Sequence, residues 1–341
     1  MMLKHNNNSF DFLRFFFASN ILLAHLWELS QSKSLLFLKD FSNSSIAVKG
    51  FFVVSGFLVA KSYKTTPSLK QYFIKRAKRI LPAYIFVVLF TTIVLAFFST
   101  IGTTEYFSNI DTYKYLAWNI VFLNFMSPCL PGIFQNNLMC AVNGALWTIK
   151  VEEGFYIILP LLFYLFRKTK KTVQTLVWLY VLSVIYWYVL DAIFQKPLLA
   201  KQLPGYLSYF LVGILINLNF ELFIKNKTKL ILISLVVLNF FSFQIDFFYP
   251  AAFGILVIGL AFSMPFLNNF GKYGDFTYGI YIFHFPIIQL FRQYNLFEKY
   301  NPIGMAFLVL TITFLLALFS WFIIEKRFLN RYKNSNNVET N

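Results

Sequence analysis

Acidic residues are scarce in this chain: 14 Asp and Glu stand against 30 Lys and Arg, and charged side chains of all kinds make up only 13% of its 341 residues. So little polar surface cannot cover a water-soluble globule, and with 58% hydrophobic residues a bilayer has to cover the rest. There is no P-loop, no Gly-x-Ser-x-Gly elbow and no zinc-ligand spacing among the three His and two Cys, so ATP hydrolysis, soluble-hydrolase chemistry and metal catalysis find no support. A nucleic-acid-binding module is missing as well. The net charge of +16 sits in short basic clusters between apolar runs, which reads as membrane topology and not as an RNA or DNA surface. Internal repeats and low-complexity tracts are absent too.

What is there is Phe, 45 residues of it, and apolar runs long enough to cross about 30 Å of hydrocarbon as helices. Helix is required because backbone polar groups in lipid must pair within their own segment. The expected class is therefore all-α and polytopic, with about ten spanning helices near residues 10–29, 44–61, 74–98, 146–166, 173–191, 203–219, 229–245, 249–265, 274–292 and 303–325. The first of these holds Arg14 and His25 and lacks a small-residue cleavage site, so it is read as a span and not as a signal peptide. Basic clusters at Lys61–Arg79, Arg167–Lys171, Lys225–Lys229 and in the tail all fall on one side of such a bundle, which places both termini in the cytoplasm. One membrane domain over 1–330 and a short polar cytoplasmic tail over 331–341 complete the organisation.

The longest connection, from about Ser99 to Ala145, falls on the outer face and carries Pro128, Pro131, Gly132, Asn136 and Asn137. It is read as a lid or an acceptor-facing surface. Cys129 and Cys140 lie in it, eleven positions apart, and two readings stay open: a disulfide in an oxidising compartment, or two free thiols.

Ionisable groups inside spanning helices cost on the order of 2.5–3.5 kcal/mol at mid-depth, so each one needs a reason. Arg14 and His25 are three helical turns apart and project from one face, about 16 Å apart along the axis. They read either as snorkelling to headgroups and an interhelical contact, or as a polar track with His25 suited to proton transfer. In the fourth span Glu152 shares a face with Thr148 and Tyr156, while Glu153 points elsewhere. Tyr278, Tyr281 and His284 follow at three-residue spacing in the ninth, with Pro286 beyond, and here a structural histidine and a substrate contact both stay open. Glu325 closes the tenth, beside Lys326 and Arg327. The basic stretch around Arg76 and Arg79 suits either anionic lipid or a phosphate-bearing ligand.

Taken in order, these residues resemble the signatures of the membrane acyltransferase 3 family. Phe10 to Arg14 with His25 is similar to its Arg-x10-His element, and Phe51 to Leu58 to its "FFvlSGFL" segment. Arg76, Arg79 and Pro82 fit "RRxxRIxPxY", and Trp147 to Tyr156 with Pro160 fits "WTLxvExxFYlllP". Tyr278 to His284 resembles "YslYLlH", and Glu325 stands where the family has its closing glutamate. Two positions depart: Phe15 replaces the usual Gly after Arg14, and Lys49-Gly50 replaces an acidic residue before the double Phe. The resemblance implies a multi-pass protein of a bacterial inner membrane that transfers an acyl group, with acetyl the expected one, from cytoplasmic acyl-CoA. The acceptor would be a hydroxyl of a glycan or lipid-linked saccharide at the outer face. It implies no bound cofactor; because the chain stops after the tenth expected helix, the extra extracytoplasmic hydrolase-like domain of some family members is expected to be absent. His25, Arg14, Glu152 and Glu325 are then the candidate catalytic residues. Arg14, Ser55, Arg76 and Arg79 would meet the donor, Ser55 from a Ser-Gly kink, and Trp147, Tyr156, Tyr281 and His284 would meet the acceptor. A polytopic transporter or flippase for a lipid-linked glycan is the alternative, and the Gly/Pro-broken helix pairs it calls for are not evident.

Overall fold

A computed structural model describes residues 8–240 and 247–329, the side chains of Thr169 and Phe240 excepted. Lys4, the end of the seventh expected span and the polar tail over 331–341 lie outside the described residues. The structure is helical throughout, with a single isolated antiparallel bridge between Cys129 and Ala141 among the described residues. Ten helices carry it: α1 (Phe10–Ser30), α2 (Ser44–Thr65), α3 (Leu69–Ala96), α4 (Trp147–Thr169), α5 (Thr172–Tyr188), α6 (Leu203–Leu218), α7 (Phe220–Phe240), α8 (Tyr249–Ala261), α9 (Thr277–Gln293) and α10 (Pro302–Phe319). Each expected span falls on one of them.

Among the described residues, six helical stretches are long and apolar enough to cross a bilayer, those holding α1, α2, α3, α5, α6 and α10. A seventh is added if α8 and the short turns after it, bent by 70°, count as one span. The chain is thus an all-α, multi-pass membrane protein. The remaining helices miss that standard for physical reasons. α4 carries Lys150, Glu152, Glu153 and Arg167, and α7 carries Glu221, Lys225, Lys227 and Lys229. α9 has 17 residues, about 25 Å at 1.5 Å per residue.

The chain forms two compact units. The first comprises the residues up to Arg14, Ile46–Phe73 and Val151–Tyr273. Here α2 and α6 cross backbone to backbone at Gly56 and Gly213: a Cβ on the first would collide with the carbonyl oxygen of Phe210, and one on the second with that of Val53. Without a hydrophobic drive between helices in lipid, such close approach of small residues is a main source of packing energy. α2 runs unbroken through Ser55 and Gly56, so the expected kink there is instead a helix crossing. Phe155 of α4 stacks on Phe210 with ring centroids 4.4 Å apart. In α5, the Ser183 hydroxyl donates to the carbonyl of Pro204 (2.6 Å) and accepts the N–H of Ser208 (2.8 Å), tying α5 to α6.

The second unit comprises Phe15–Ser45, Ile74–Lys150 and the residues from Gly274 onward. It contains the long connection, which holds two short helices, Thr103–Ser108 and Ile110–Ile120. The connection is pinned and not free-swinging. Cys129 and Cys140 are joined in a disulfide. Gln289 of α9 donates to the carbonyls of Met139 and Ala141 (2.7 and 2.9 Å), and Gln293 donates to that of Phe98 (2.9 Å) while accepting the N–H of Phe134 (2.9 Å). The amide of Phe134 and the carbonyls of Met139 and Ala141 are thereby tied to α9.

Candidate active site

α9 is built around a proline that does not end it. Pro286 has no N–H, so the carbonyl of Ile282, four residues earlier, loses its helical partner. The side-chain amide of Asn143 takes that carbonyl at 2.7 Å. The next residue, Gly144, lies so close to the ring of Phe285 that a Cβ would overlap it. Phe285 in turn stands edge-on to the ring of His25, centroids 5.3 Å apart at 82°. Sequence, helix defect and loop thus converge on one imidazole.

His25 of α1 and His284 of α9 face each other. Nδ1 of His25 is 2.8 Å from Nε2 of His284, and the rings meet edge to edge and nearly coplanar, with centroids 5.1 Å apart and 15° between their planes. His284 is fully buried (0% exposed), and its Nδ1 lies 3.0 Å from the carbonyl oxygen of Ile280. His25 is half-buried. One turn before His284, the Tyr281 hydroxyl bonds the carbonyl of Ala145 at 2.8 Å and makes a short contact with the hydroxyl of Thr148. Trp147 begins α4 beside Thr148 and is half-buried.

The two arginines of α3 are also placed in the second unit. Arg79 is paired with Asp275 at 2.7 Å, both largely buried, and Tyr278 donates to the carbonyl of Ile80 at 3.2 Å. The arrangement holds the start of α9 against the basic end of α3. Arg76 is half-buried one turn away. Glu325 is buried at 2% exposure and accepts from Ser320 at 2.8 Å.

The first unit holds a second polar cluster. Glu152 accepts from the hydroxyls of Tyr156, one turn on, and Ser55 (3.4 Å) through one carboxylate oxygen. The carbonyl of Tyr156, released by Pro160, is taken by the hydroxyl of Tyr72 at 3.0 Å. Arg14 lies 4.0 Å from Asp11, one turn earlier on α1. A cavity of about 580 Å³ opens beside the turn between α2 and α3, with Tyr63, Lys64, Phe163 and Arg167 on its walls. Cations and rings together suit a ligand bearing both phosphate and an aromatic base. Among the described residues no three His, Cys, Asp or Glu side chains gather to hold a metal ion.

Several partners escaped the sequence reading. Asp275, Asn143 and Tyr72 were not singled out, and only Asp275 carried a signal: it is one of few acids in the chain and stands two residues ahead of Thr277, where α9 begins. His284 was read as an acceptor contact or a structural histidine; its neighbour is the other described histidine.

A family model described as an acyltransferase domain matches residues 7–325. Among the curated relatives, the chain is 28% identical over 338 residues to an O-acetyl transferase of Shigella phage Sf6, covering 96% of this chain and 97% of that one. It is 26% identical to nodulation protein 10 of Rhizobium leguminosarum bv. viciae, over 94% of this chain and 93% of the relative. To the peptidoglycan O-acetyltransferase OatA of Listeria monocytogenes it is also 26% identical, over 84% of this chain but 52% of the relative. No solved structure matches.

Proposed function

Since the chain belongs to the acyltransferase 3 family and is an O-acyltransferase, we propose that it moves an acetyl group from acetyl-CoA to a hydroxyl of a surface polysaccharide or its lipid-linked precursor. The donor comes from the cytoplasm, the acceptor is met at the outer face, and the membrane is the bacterial inner one. Ten crossings with both termini cytoplasmic give this route, with 1–330 as the membrane domain and 331–341 as a polar tail. The excess of basic residues in the segments that then face the cytoplasm supports that orientation.

The observation that carries the reading is the imidazole pair on α1 and α9, 2.8 Å apart. Polar, titratable side chains are retained at such places in membrane helices chiefly for function. His25 acts at the reacting centre, as base toward the acceptor hydroxyl or as carrier of the acyl group. Arg14, Arg76 and Arg79 receive the donor's phosphates, with Arg79 held in place by Asp275. Lys64 and Arg167, on the walls of the cavity in the first unit, are further cations suited to phosphate. Glu152, Tyr156 and Ser55 form a carboxylate with two hydroxyl partners, a grouping suited to a sugar's hydroxyls. Trp147 and Tyr281 supply aromatic surface on the acceptor side, and Glu325 closes the inner end.

The test is deletion in the native host followed by mass spectrometry of ester-linked acetyl groups on surface glycans. Loss of one defined acetyl ester, restored by the intact gene but not by a His25→Ala variant that inserts normally, is the expected result. Unchanged esters in the deletion strain would refute the activity.

A further inference from the structure

We propose that His284 is a positioning residue that fixes the tautomer of His25 and leaves the Nε2 lone pair of His25 as the base for the acceptor hydroxyl. This rests on the acyl-transfer reading above. The oxygen of Ile280 can only accept, so the His284 nitrogen 3.0 Å from it, Nδ1, carries a proton. In a neutral imidazole the other nitrogen then only accepts, and that nitrogen, Nε2, is the one 2.8 Å from Nδ1 of His25. The proton between the rings therefore belongs to His25. With Nδ1 protonated, a neutral His25 has a bare Nε2.

The opposite assignment would make His284 an imidazolium donating from both nitrogens. That places a full charge on a side chain with no exposed surface inside an apolar helix bundle, the arrangement that burial disfavours most. The neutral chain of donors, from His25 to His284 to Ile280, satisfies every nitrogen involved except the one aimed at chemistry. Packing keeps the rings in register: His284 meets His25 edge to edge in nearly the same plane, and the ring of Phe285 stands at 82° to that of His25. Asn143, by taking the carbonyl that Pro286 releases two residues before His284, fixes the backbone that carries the pair.

The reaction balances without another group. As the acceptor oxygen forms its bond to the thioester carbonyl carbon, its proton passes to Nε2 of His25. The tetrahedral intermediate collapses, the carbon–sulfur bond breaks, and the departing thiolate takes the proton from Nε2. Throughout, Nδ1–H stays bonded to His284, whose neutral Nε2 stabilises the transient imidazolium of His25. An imidazole free in water favours the proton on Nε2, the tautomer that is useless here, so the partner's role is selection.

The experiment is nitrogen-15 magic-angle-spinning NMR on full-length protein labelled at histidine and reconstituted in lipid vesicles, with His25 identified by the signals missing in His25→Ala. It is run beside thiol release from acetyl-CoA by native-host membrane vesicles, which carry their own acceptor. Wild type should show His25 protonated on Nδ1 and bare on Nε2. His284→Phe should move the proton to Nε2 and lower kcat by on the order of 10²–10³-fold, with the KM for acetyl-CoA unchanged. His284→Gln, whose amide oxygen can still accept from Nδ1–H, should keep the native tautomer and stay within about tenfold of wild type. A wild-type His25 bearing its proton on Nε2, or a phenylalanine variant as active as the glutamine one, overturns the proposal. If His284→Phe does not insert, the wild-type tautomer alone decides. Wild-type vesicles that release no thiol would sink the acyl-transfer reading while leaving the tautomer measurement to stand by itself.

Discussion

In α4 the proline at position 160 withholds the N–H that would reach the carbonyl of Tyr156, and the hydroxyl of Tyr72 fills the gap at 3.0 Å; in α9 Pro286 does the same to Ile282, and the amide of Asn143 fills it at 2.7 Å. One backbone device thus appears in both units of the molecule. The chemistry it supports differs. Beside the first lies a carboxylate bonded by two hydroxyls, Glu152 with Tyr156 and Ser55, and beside the second lies a pair of imidazoles. The donors differ too: Tyr72 belongs to a helix, whereas Asn143 belongs to a disulfide-bearing connection. A helix keeps a proline in lipid when its freed carbonyl is satisfied again, here by a donor from another segment. That segment is then locked to the very turn where a functional side chain sits.

On the proposed reading, bond-making falls to the imidazole side and binding to the carboxylate side, and the largest predicted effects test that division. His25→Ala should lower acetyl transfer by about 10³-fold or more, the range in which a general base acts. Glu152→Gln should instead raise the KM for the acceptor by roughly tenfold and leave kcat within a few-fold, the signature of lost ground-state binding. Both are read from initial rates in membrane vesicles. A reversed pattern, with the glutamine variant dead and the alanine variant merely weak, would break the assignment.

Next in size comes the connection that supplies Asn143. Reducing the Cys129–Cys140 bond removes a cross-link around a short loop, a loss on the order of 2–3 kcal/mol, seen as a lower midpoint of thermal unfolding in detergent. Asn143→Ala strips the donor from a buried carbonyl and should cost about 1–3 kcal/mol. Pro286→Ala in the same chain restores an N–H to that carbonyl, so the double variant should recover part of the loss. Losses that simply add would show that Asn143 does not answer the proline.

How much of this the sequence disclosed follows from how local each feature is. Helix positions were legible because spans of apolar residues are local, and all ten expected segments fall on helices. Which helices satisfy a strict crossing standard was less so, since α4 carries charges at both ends and α7 at its start. The short helices Thr103–Ser108 and Ile110–Ile120 went unread because they lie in a stretch marked by prolines and polar residues farther on. His25 and His284 were each visible as charges out of place. Their pairing was not, because 259 residues separate them and no spacing rule reaches that far. The same holds for Arg79 with Asp275. The cysteines were left open at eleven positions' separation, and the structure joins them. Gly56 was expected to mark a kink; its physical role is the absence of a side chain where Phe210 passes, which only the partner helix could reveal.

The smallest predicted effect is the most specific. Tyr72→Phe keeps a ring that is wholly buried and removes one oxygen, so packing is nearly unchanged and the measured loss isolates the bond to the carbonyl of Tyr156. A neutral hydrogen bond of this kind contributes about 0.5–1.5 kcal/mol, which for a chain of this size is a drop in unfolding temperature of roughly 2 °C. Pro160→Ala supplies the helix with its own donor, so the hydroxyl becomes redundant. In that background Tyr72→Phe should cost nothing measurable, and the coupling between the two substitutions should be close to the whole single-variant effect. Equal losses in both backgrounds would mean that the tyrosine acts through something other than the proline's missing N–H, and the parallel between α4 and α9 would fail on the α4 side.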